Sequence, residues 1–329
     1  MSFKTIERNV PVRAYRSKLF VPGSRPELFE KAANSAADVV CLDIEDAVAP
    51  ADKDKARENI VAALNDVDWK DKTVTARVNG LDTHWFYRDV IALVECGGER
   101  LDSILIPKVG CAGDVYTTDV LVTEASQFVG RKKRIGLEVL IETVLGLENI
   151  NEICGASKRL ESLHFGSADF AASQRMRTTN IGGANAGYIM LTDKDGDTAR
   201  ERHWNDLWHY PIFRMVTAAR AFGLAPIDGP FGDFSDPEGF KAQATRTAIL
   251  GCEGKWAIHP SQVALANEVF TPPQKEVERA EAILAAMKEA QAKGQGAVTL
   301  NGGLIDAASI RQAEMIVKQV NLIRARTKA

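Results

Sequence analysis

The feature that most constrains this chain is a regular alternation between short β-rich apolar runs and longer segments with a helical pattern. Several of the runs show no polar alternation, which is typical of strands that are covered on both faces. Eight such strand–helix units over roughly 250 residues predict an α/β fold, the (β/α)8 TIM barrel. A doubly wound open sheet is the alternative, but the GxGxxG turn expected after its first strand is absent. The predicted strands lie at residues 17–22, 39–44, 73–78, 103–109, 135–142, 160–166, 225–230 and 254–259.

The character of the chain changes after the eighth predicted strand. Thr271-Pro272-Pro273 interrupts it, and an amphipathic helical segment, a turn-rich stretch and a final helical segment follow. We therefore expect a barrel domain over residues 1–270 and a C-terminal helical extension over 271–329. This extension is too short to bury much apolar surface alone, so it should pack on the barrel or on a neighbouring subunit. The Gly-, Asn- and charge-rich stretch 170–203 is expected to form a long loop after the sixth strand.

Composition and charge exclude several classes of partner. With 41 basic and 44 acidic residues the net charge is −3, which gives no electrostatic reason to expect nucleic-acid binding. No apolar run approaches the roughly 18 residues of a membrane span, and the first residues lack a secretory core. The five cysteines are scattered and form no CxxC pair, which favours free thiols in a reducing compartment. We expect a cytoplasmic protein.

Charged residues follow the predicted strands at their C-terminal ends. In a TIM barrel these ends converge on one mouth, where active sites lie. Buried carboxylates are costly unless a cation meets them, so the excess of acids predicts a cationic partner. The polar residues at the strand ends are Asp43, Glu45, Asp46, Arg77, Asn79, Lys108, Glu142, Asp169, Asp228 and Asp233.

Glu142 and Asp169 are the candidate metal ligands. They follow adjacent predicted strands, which lie ~4.8 Å apart in a sheet, so both carboxylates can reach one ion. Oxygen ligands without a Cys/His cluster favour Mg²⁺ or Mn²⁺ over zinc. The alternative is that the two acids cap the helices that follow them. The sequence pattern leaves both explanations open.

Arg77 and Lys108 are the two cations at the predicted mouth. The guanidinium of Arg77 can donate a forked pair of hydrogen bonds to a carboxylate or a developing enolate oxygen. Alternatively it forms a salt bridge to Glu45 or Asp46, and the two roles are compatible. Lys108 suggests a rival mechanism, the Schiff-base lysine of a metal-independent aldolase. This rival ranks lower because the surrounding acids would hold the amine protonated.

Nine stretches, in order, resemble the citrate lyase β-subunit-like (HpcH/HpaI aldolase) superfamily. The resemblance extends from Ser17 to about Lys318, nearly the whole chain. The last three stretches are similar to its malyl-CoA lyase branch specifically. The stretches are FVPGSRPELFEKA, LDIEDAVAP, RVNGLDT, LIPKV, LIETVLG, FGSADFAAS, DGPFGDFSD, GKWAIHPSQ and GLIDAASIRQAE.

The resemblance implies a Mg²⁺-dependent, reversible Claisen-type carbon–carbon cleavage, and the oxygen ligands also allow Mn²⁺ as a substitute metal. L-malyl-CoA would give acetyl-CoA and glyoxylate, and β-methylmalyl-CoA would give propionyl-CoA and glyoxylate. The family pattern makes Glu142 and Asp169 the metal ligands and puts Arg77 beside the reacting carbonyl oxygens. In this setting we interpret Glu45 and Asp46 as residues that orient metal-bound water and the arginine. The role of Asp43 stays open.

The same resemblance implies how substrate and subunits come together. The C-terminal extension would close as a lid over a neighbouring subunit's barrel and bring Asp306 as acid/base, which requires a homo-oligomer, a trimer or a hexamer. The partners would be acyl-CoA and glyoxylate, with no nucleic acid and no membrane. The positions that match the coenzyme A and substrate contacts of the family are Phe20, Arg25, Lys31, Arg77, Ala168, Asp169, Ile258 and His259.

Three other functions remain as alternatives. A malyl-CoA thioesterase and a citramalyl-CoA lyase would use the same scaffold. From a different class, the chain would be a non-catalytic acyl-CoA-binding subunit that kept the fold. The complete set of acids together with Arg77 favours an enzyme.

Overall fold

The computed structural model describes residue 6 and residues 9–294 and 296–327. It divides into two compact units, one that ends at Asn267 and one that begins at Glu268. No helix in the described ranges is both long and apolar enough to span a membrane.

The first unit is built around a closed barrel of eight parallel strands, which confirms the predicted barrel and excludes the open sheet. Each barrel strand pairs with the next one along the chain, and the last pairs with the first to close the cylinder. The barrel strands are β1 (Ser17–Pro22), β2 (Val39–Asp43), β3 (Thr73–Arg77), β4 (Ser103–Ile106), β5 (Gly136–Ile141), β6 (Leu160–Phe165), and, after the hairpin β7 (Ile189–Leu191) and β8 (Arg202–Trp204), β9 (Ala225–Asp228) and β10 (Gly254–Ala257).

Helices follow most of the barrel strands. The described helices of this part are α1 (Phe29–Ala33), α2 (Lys53–Asp66), α3 (Phe86–Cys96), α4 (Ala112–Phe128), α5 (Val144–Glu148), α6 (Ile150–Gly155), α7 (Ser167–Ser173), α8 (His209–Ala221), α9 (Pro237–Leu250) and α10 (Ser261–Val269). Short 3-10 turns lie at Pro26–Leu28, Pro50–Asp52 and Gly98–Arg100.

Helix α9 shows how the sequence sets the helix boundaries. Asp236 precedes it, and its carboxylate accepts a hydrogen bond from the backbone N–H of Gly239 at 2.8 Å. Pro237 follows at the first helical position, where its missing N–H costs nothing. At the other end Gly251 has a φ of +110°, a left-handed conformation that ends the helix and that other residues rarely adopt.

The strands end earlier than predicted where the chain turns toward the barrel mouth. The predicted fourth strand extends to residue 109, but β4 ends at Ile106, because Pro107 has no N–H to continue the ladder. Lys108 then has a φ of +53°, which turns the chain sharply. The predicted loop 170–203 contains the antiparallel hairpin of β7 and β8.

The apolar core of the barrel consists of inward-facing side chains from most of its strands. Its members are Tyr15, Val39, Cys41, Leu105, Leu140, Ile227 and Trp256, with Phe20 and Ala225 packed against them.

The second unit consists of two long helices and a small hairpin. Its elements are α11 (Gln274–Ala292), β11 (Val298–Leu300), β12 (Gly303–Ile305) and α12 (Ala307–Thr327). The two predicted helices are therefore present, and the turn-rich stretch between them forms the hairpin. The helices share a small buried core of Ala280, Ile283, Met287, Ile305 and Ala313. Its role as a lid stays a prediction.

Candidate active site

Arg77 is held at the barrel mouth by two acids. It ends β3 directly opposite Asp43 at the end of β2. Its Nε and Nη2 donate to the two carboxylate oxygens of Asp43 at 2.7 and 2.6 Å, and Nη1 lies 2.8 Å from Oε2 of Glu45. Burial would lower the pKa of Arg77, but the contact with Asp43 raises it well above its ordinary value, so the guanidinium stays charged. The position of Asp43 is thereby settled, because it points inward and forms the forked pair.

Two aromatic rings support the face of the same guanidinium. The centre of the Arg77 guanidinium lies 5.2 Å from the ring of Phe20 and 5.8 Å from the ring of Trp256. The two rings contact each other with their centroids 4.0 Å apart. Cation–π contacts of this kind are strongest where water is excluded, and Arg77 is only 7% exposed. The acids therefore fix the edge of the guanidinium, while the rings fix its face.

Lys108 lies within ion-pair distance of three acids of the mouth. Its Nζ contacts Oε1 of Glu45 and lies 3.2 Å from Asp46 and 4.0 Å from Asp169. Burial would lower the pKa of Lys108, but Glu45 and Asp46 raise it above its ordinary value. Asp46 therefore pairs with Lys108, while Arg77 pairs with Glu45, one of the two salt-bridge partners considered from sequence. The pKa of Glu45 is raised, chiefly by burial.

Lys53 is a residue of this region that the sequence did not identify. Its Nζ donates to the backbone carbonyls of Ile44 at 2.8 Å and Glu45 at 2.7 Å, and so holds the acidic loop after β2 in place. It stands in the first turn of α2, where a lysine has no distinguishing sequence signal.

Glu142 and Asp169 stand near one another, and Lys108 contacts Asp169 at 4.0 Å. Glu142 follows β5, and Asp169 lies in the first turn of α7. Glu142 is only 2% exposed, and it accepts a hydrogen bond from the backbone N–H of Lys108 at 2.8 Å. Burial raises the pKa of Glu142 well above its ordinary value, and the charges of Asp169 and Glu45 raise it further. In the part of the chain that the structure describes, Glu142 makes no ion pair.

This arrangement fits a divalent cation. A buried carboxylate that faces two other acids is costly unless a positive charge joins them. A Cβ at position 166 would lie 2.5 Å from Oε2 of Glu142, so Gly166 keeps the space beside that oxygen free. Over the described ranges no group of three or more His, Cys, Asp or Glu side chains is gathered for metal binding. Two carboxylates suffice for Mg²⁺, which usually takes its other ligands from water and substrate.

Helix capping does not explain Glu142. The cap of α5 is Thr143, whose hydroxyl accepts from the backbone N–H of Gly146 at 2.9 Å. Asp169 is inside the first turn of α7, where it interacts favourably with the helix dipole whether or not a metal is bound.

Most of the residues matched to coenzyme A contacts follow barrel strands at their C-terminal ends, while Phe20 lies within β1. Arg25 is exposed and pairs with Glu27, and Lys31 and Ala168 are exposed as well. Ile258 and His259 follow β10 directly, and the ring of His259 stacks on Phe234 with centroids 4.7 Å apart.

Some of the strand-end residues are committed elsewhere. Asp228 is buried and accepts from Lys255 Nζ at 2.6 Å, and Asn79 donates to Asp89 at 2.6 Å. Asp306 belongs to the second unit, where its exposed carboxylate accepts from the backbone N–H groups of Ala308 and Ser309 at 2.9 and 3.1 Å.

The fold agrees with comparisons to known proteins. The sequence signature described as HpcH/HpaI aldolase/citrate lyase matches residues 16–260. L-malyl-CoA/β-methylmalyl-CoA lyase of Rhodobacter capsulatus is 55% identical over 324 residues, which cover 98% of this chain and all of that protein. Malyl-CoA/β-methylmalyl-CoA/citramalyl-CoA lyase of Chloroflexus aurantiacus is 36% identical, with coverage of 96% and 90%.

A solved structure shows the same relationship. The protein CitE from Mycobacterium tuberculosis, in complex with magnesium, acetoacetate and coenzyme A, superimposes with a TM-score of 0.69 at 26% identity. The match covers 94% of this chain and 98% of that one. With a family signature across the whole barrel and a relative of 55% identity along its full length, the chain belongs to the HpcH/HpaI aldolase/citrate lyase family.

Proposed function

We propose that this protein is a carbon–carbon lyase that reversibly cleaves L-malyl-CoA to acetyl-CoA and glyoxylate, and β-methylmalyl-CoA to propionyl-CoA and glyoxylate. The observation that carries the proposal is the mouth itself, where a fixed arginine stands near Asp169 and near Glu142, a buried carboxylate with no ion pair among the described residues. The 55% identity to a protein named L-malyl-CoA/β-methylmalyl-CoA lyase supports the choice of substrate.

Glu142 and Asp169 would hold the metal, Mg²⁺ or in its place Mn²⁺. When bound, a divalent ion of this kind supplies Lewis acidity and a template for the hydroxyl and carboxylate oxygens of a malyl group. The backbone N–H of Lys108 fixes one oxygen of Glu142, which orients the carboxylate before any ligand arrives.

Arg77 would stabilise the charge that develops on the thioester oxygen. Of its five N–H groups, two donate to Asp43, and Nη1 forms only an ion pair with Glu45, so N–H groups on both terminal nitrogens remain for the substrate. As the carbon–carbon bond breaks, its electron pair moves to the α-carbon of the acyl group and forms an enolate. A donor that is already fixed stabilises this enolate oxygen without having to reorganise.

A carboxylate must take the proton of the malyl hydroxyl, whose O–H electrons become the carbonyl of glyoxylate. We assign this exchange, and the return of a proton to the enolate carbon, to Asp306 of a neighbouring subunit. Glu45 and Asp46, held by Lys108, would orient the water and the arginine around the reacting atoms. The assignment of Asp306 rests on the family resemblance, and it implies a homotrimer or homohexamer.

Coenzyme A would bind along the loops after β1, β6 and β10. Arg25 and Lys31 carry exposed cationic groups suited to its phosphates. The other contacts would come from Phe20, Ala168, Ile258 and His259. We also propose a cytoplasmic location, which is supported by the five cysteines, because none of them forms a disulfide in the described residues.

One assay tests the proposal. Purified protein is mixed with Mg²⁺, glyoxylate and either acetyl-CoA or propionyl-CoA, and the products are identified by mass. We expect malyl-CoA and β-methylmalyl-CoA, loss of both with EDTA, and recovery when Mg²⁺ is added back. Free malate in place of the thioester would identify a thioesterase. Acyl-CoA binding without any turnover would identify a binding subunit.

Citramalyl-CoA is the second substrate to test, since the relative from C. aurantiacus carries that activity in its name. Release of pyruvate from citramalyl-CoA, faster than release of glyoxylate from malyl-CoA, would assign the chain to citramalyl-CoA cleavage instead.

A further inference from the structure

A buried polar cluster lies inside the barrel, on the same strands that carry the active-site residues. At its centre is Glu138 on β5, four residues before Glu142 and therefore on the same inward face. Lys18 contacts Glu138 directly, Ser103 donates to it at 2.6 Å, and Thr75 donates at 2.9 Å. His164 Nε2 lies 2.6 Å from its other oxygen. Glu138, Lys18 and His164 are all fully buried.

Stability does not account for this cluster. The interior of a TIM barrel is usually filled by layers of branched apolar side chains. A buried ion pair seldom stabilises a fold more than apolar residues of similar volume would, because both charges must be removed from water. The presence of a charged pair and an imidazole where leucine or valine would pack calls for another role.

The hydrogen bonds of His164 determine which of its ring nitrogens carries the proton. The indole Nε1–H of Trp256 donates to His164 Nδ1 at 2.9 Å, so that nitrogen carries no proton. Nε2 must then carry it, and it donates to Glu138. Burial and the charge of Lys18 lower the pKa of His164 to about 4, which keeps the ring neutral and this tautomer in place at neutral pH.

Trp256 links the hydrogen bonds of Glu138 and His164 to Arg77. While its N–H points at His164, its ring lies against Phe20 and near the guanidinium of Arg77. Asp43 fixes the guanidinium within its own plane, but two bonds in that plane do not fix its tilt. The ring pair of Phe20 and Trp256 supplies this second constraint.

We propose that Glu138 and His164 are positioning residues, which hold the indole of Trp256 and thereby the plane of the Arg77 guanidinium. The inference rests on the proposed function, since it assigns Arg77 to the reacting oxygen. It predicts that damage to this hydrogen-bonded series lowers kcat more than it changes the KM for acyl-CoA, because Phe20 touches Trp256 but the proposed coenzyme A contacts Arg25, Lys31 and Ala168 are exposed residues outside the buried cluster.

Two amide substitutions at position 164 separate the hydrogen bond of His164 with Trp256 from its hydrogen bond with Glu138. In His164→Asn the amide oxygen occupies the position of Nδ1 and still accepts from Trp256, but the donor to Glu138 is lost. In His164→Gln the amide reaches the position of Nε2 and Glu138, but Trp256 has no acceptor. A displacement of ~1 Å away from the chemistry can cost about 100-fold in rate, so we expect H164Q to have a kcat roughly 10- to 100-fold below that of H164N. Equal kcat values for the two variants would overturn the proposal.

A double-mutant cycle tests whether His164 acts through the indole N–H. Trp256→Phe removes the donor and keeps a ring against Phe20. We expect W256F to lower kcat, and H164Q to cause no further loss of kcat in the W256F background. Multiplicative losses in the double variant would show that His164 acts independently of Trp256, and would overturn the inference.

A spectroscopic measurement keeps the inference separate from the proposed reaction. The chain has five tryptophans, and labelling with 5-fluorotryptophan gives each a ¹⁹F resonance, with that of Trp256 identified by its loss in W256F. We expect this resonance to shift or broaden in H164Q and to stay near its native position in H164N. An unchanged resonance in H164Q would overturn the positioning chain. If the resonance shifts in H164Q and not in H164N, but the wild-type protein shows no lyase turnover, the proposed function fails and the positioning of Trp256 stands.

Discussion

Replacement of Glu142 by glutamine tests the metal site without relying on catalysis. The amide keeps the shape of the side chain, and its oxygen still accepts from the backbone N–H of Lys108. It removes one of the two carboxylates that would hold the ion. We therefore expect Glu142→Gln to fold normally and to lose the response to Mg²⁺.

The size of that response follows from the barrel. A unit of about 270 residues has an unfolding entropy of roughly 0.56 kcal/mol/K near 60 °C. A ligand that binds only the folded state contributes about 2.7 kcal/mol at 100 times its Kd. Saturating Mg²⁺ should therefore raise the Tm of the wild-type protein by about 5 °C. The Tm of E142Q should not change, as measured by differential scanning calorimetry with Mg²⁺ and with EDTA.

The same variant predicts a pH dependence in the metal-free protein. Burial raises the pKa of Glu142 in the folded state above its value in the unfolded chain. The folded state therefore binds the proton more tightly, and this contribution to stability is complete below about pH 4.5 and is lost as the pH rises through the folded pKa. In EDTA, the Tm of the wild-type protein should fall relative to that of E142Q as the pH is raised above about 4.5.

A matched control distinguishes the site from a general charge effect. Glu152 is an exposed glutamate in α6. Glu152→Gln makes the same change of charge and should keep the full response to Mg²⁺. If E142Q is stabilised by Mg²⁺ as much as the wild-type protein, Glu142 is not a metal ligand and the metal assignment is wrong.

Three further predictions concern the other charged groups. Arg77→Lys keeps the charge but cannot donate the forked pair to Asp43, and it should lower kcat by roughly 10²- to 10³-fold in steady-state assays; a near-native kcat would remove Arg77 from the mechanism. Asp306→Ala should abolish turnover while thermal unfolding of the barrel stays the same, and retained turnover would exclude Asp306 as acid/base. Lys108 is held protonated by Glu45 and Asp46, so borohydride with glyoxylate should not inactivate the enzyme; a reduced adduct at Lys108, found by mass spectrometry, would favour Schiff-base chemistry.

The fold could be predicted because its pattern is local. Continuous apolar runs mark strands covered on both faces, and eight of them at barrel spacing leave few other architectures. The ends of strands were harder to predict, since they depend on where the chain leaves the ladder. Pro107 and the left-handed Lys108 end β4 before the predicted limit, and the backbone N–H of Lys108 is thereby directed at Glu142.

The pairings at the mouth could not be predicted, because they depend on register between strands. The sequence places three acids, Asp43, Glu45 and Asp46, at the end of β2 and just beyond it, but it does not show which way each side chain points. The register of β2 and β3 places Asp43 directly opposite Arg77, and only this register shows which acid accepts the two hydrogen bonds from the guanidinium. A shift of one residue would have turned the side chain of Asp43 away from the barrel interior.

The buried cluster around Glu138 could not be predicted from the continuous apolar runs that predict the strands. A mostly apolar run still predicts a strand when it contains one charged residue. Lys18 and Glu138 therefore did not weaken the prediction of the strands that contain them. The two-residue period of a strand nevertheless puts Glu138 on the face of Glu142, and Lys18 on the face of Phe20. A charged residue two or four positions before a candidate site residue therefore points into the same barrel interior. In a closed barrel such a residue must find a buried partner, and here that partnership leads through His164 and Trp256 back to Arg77.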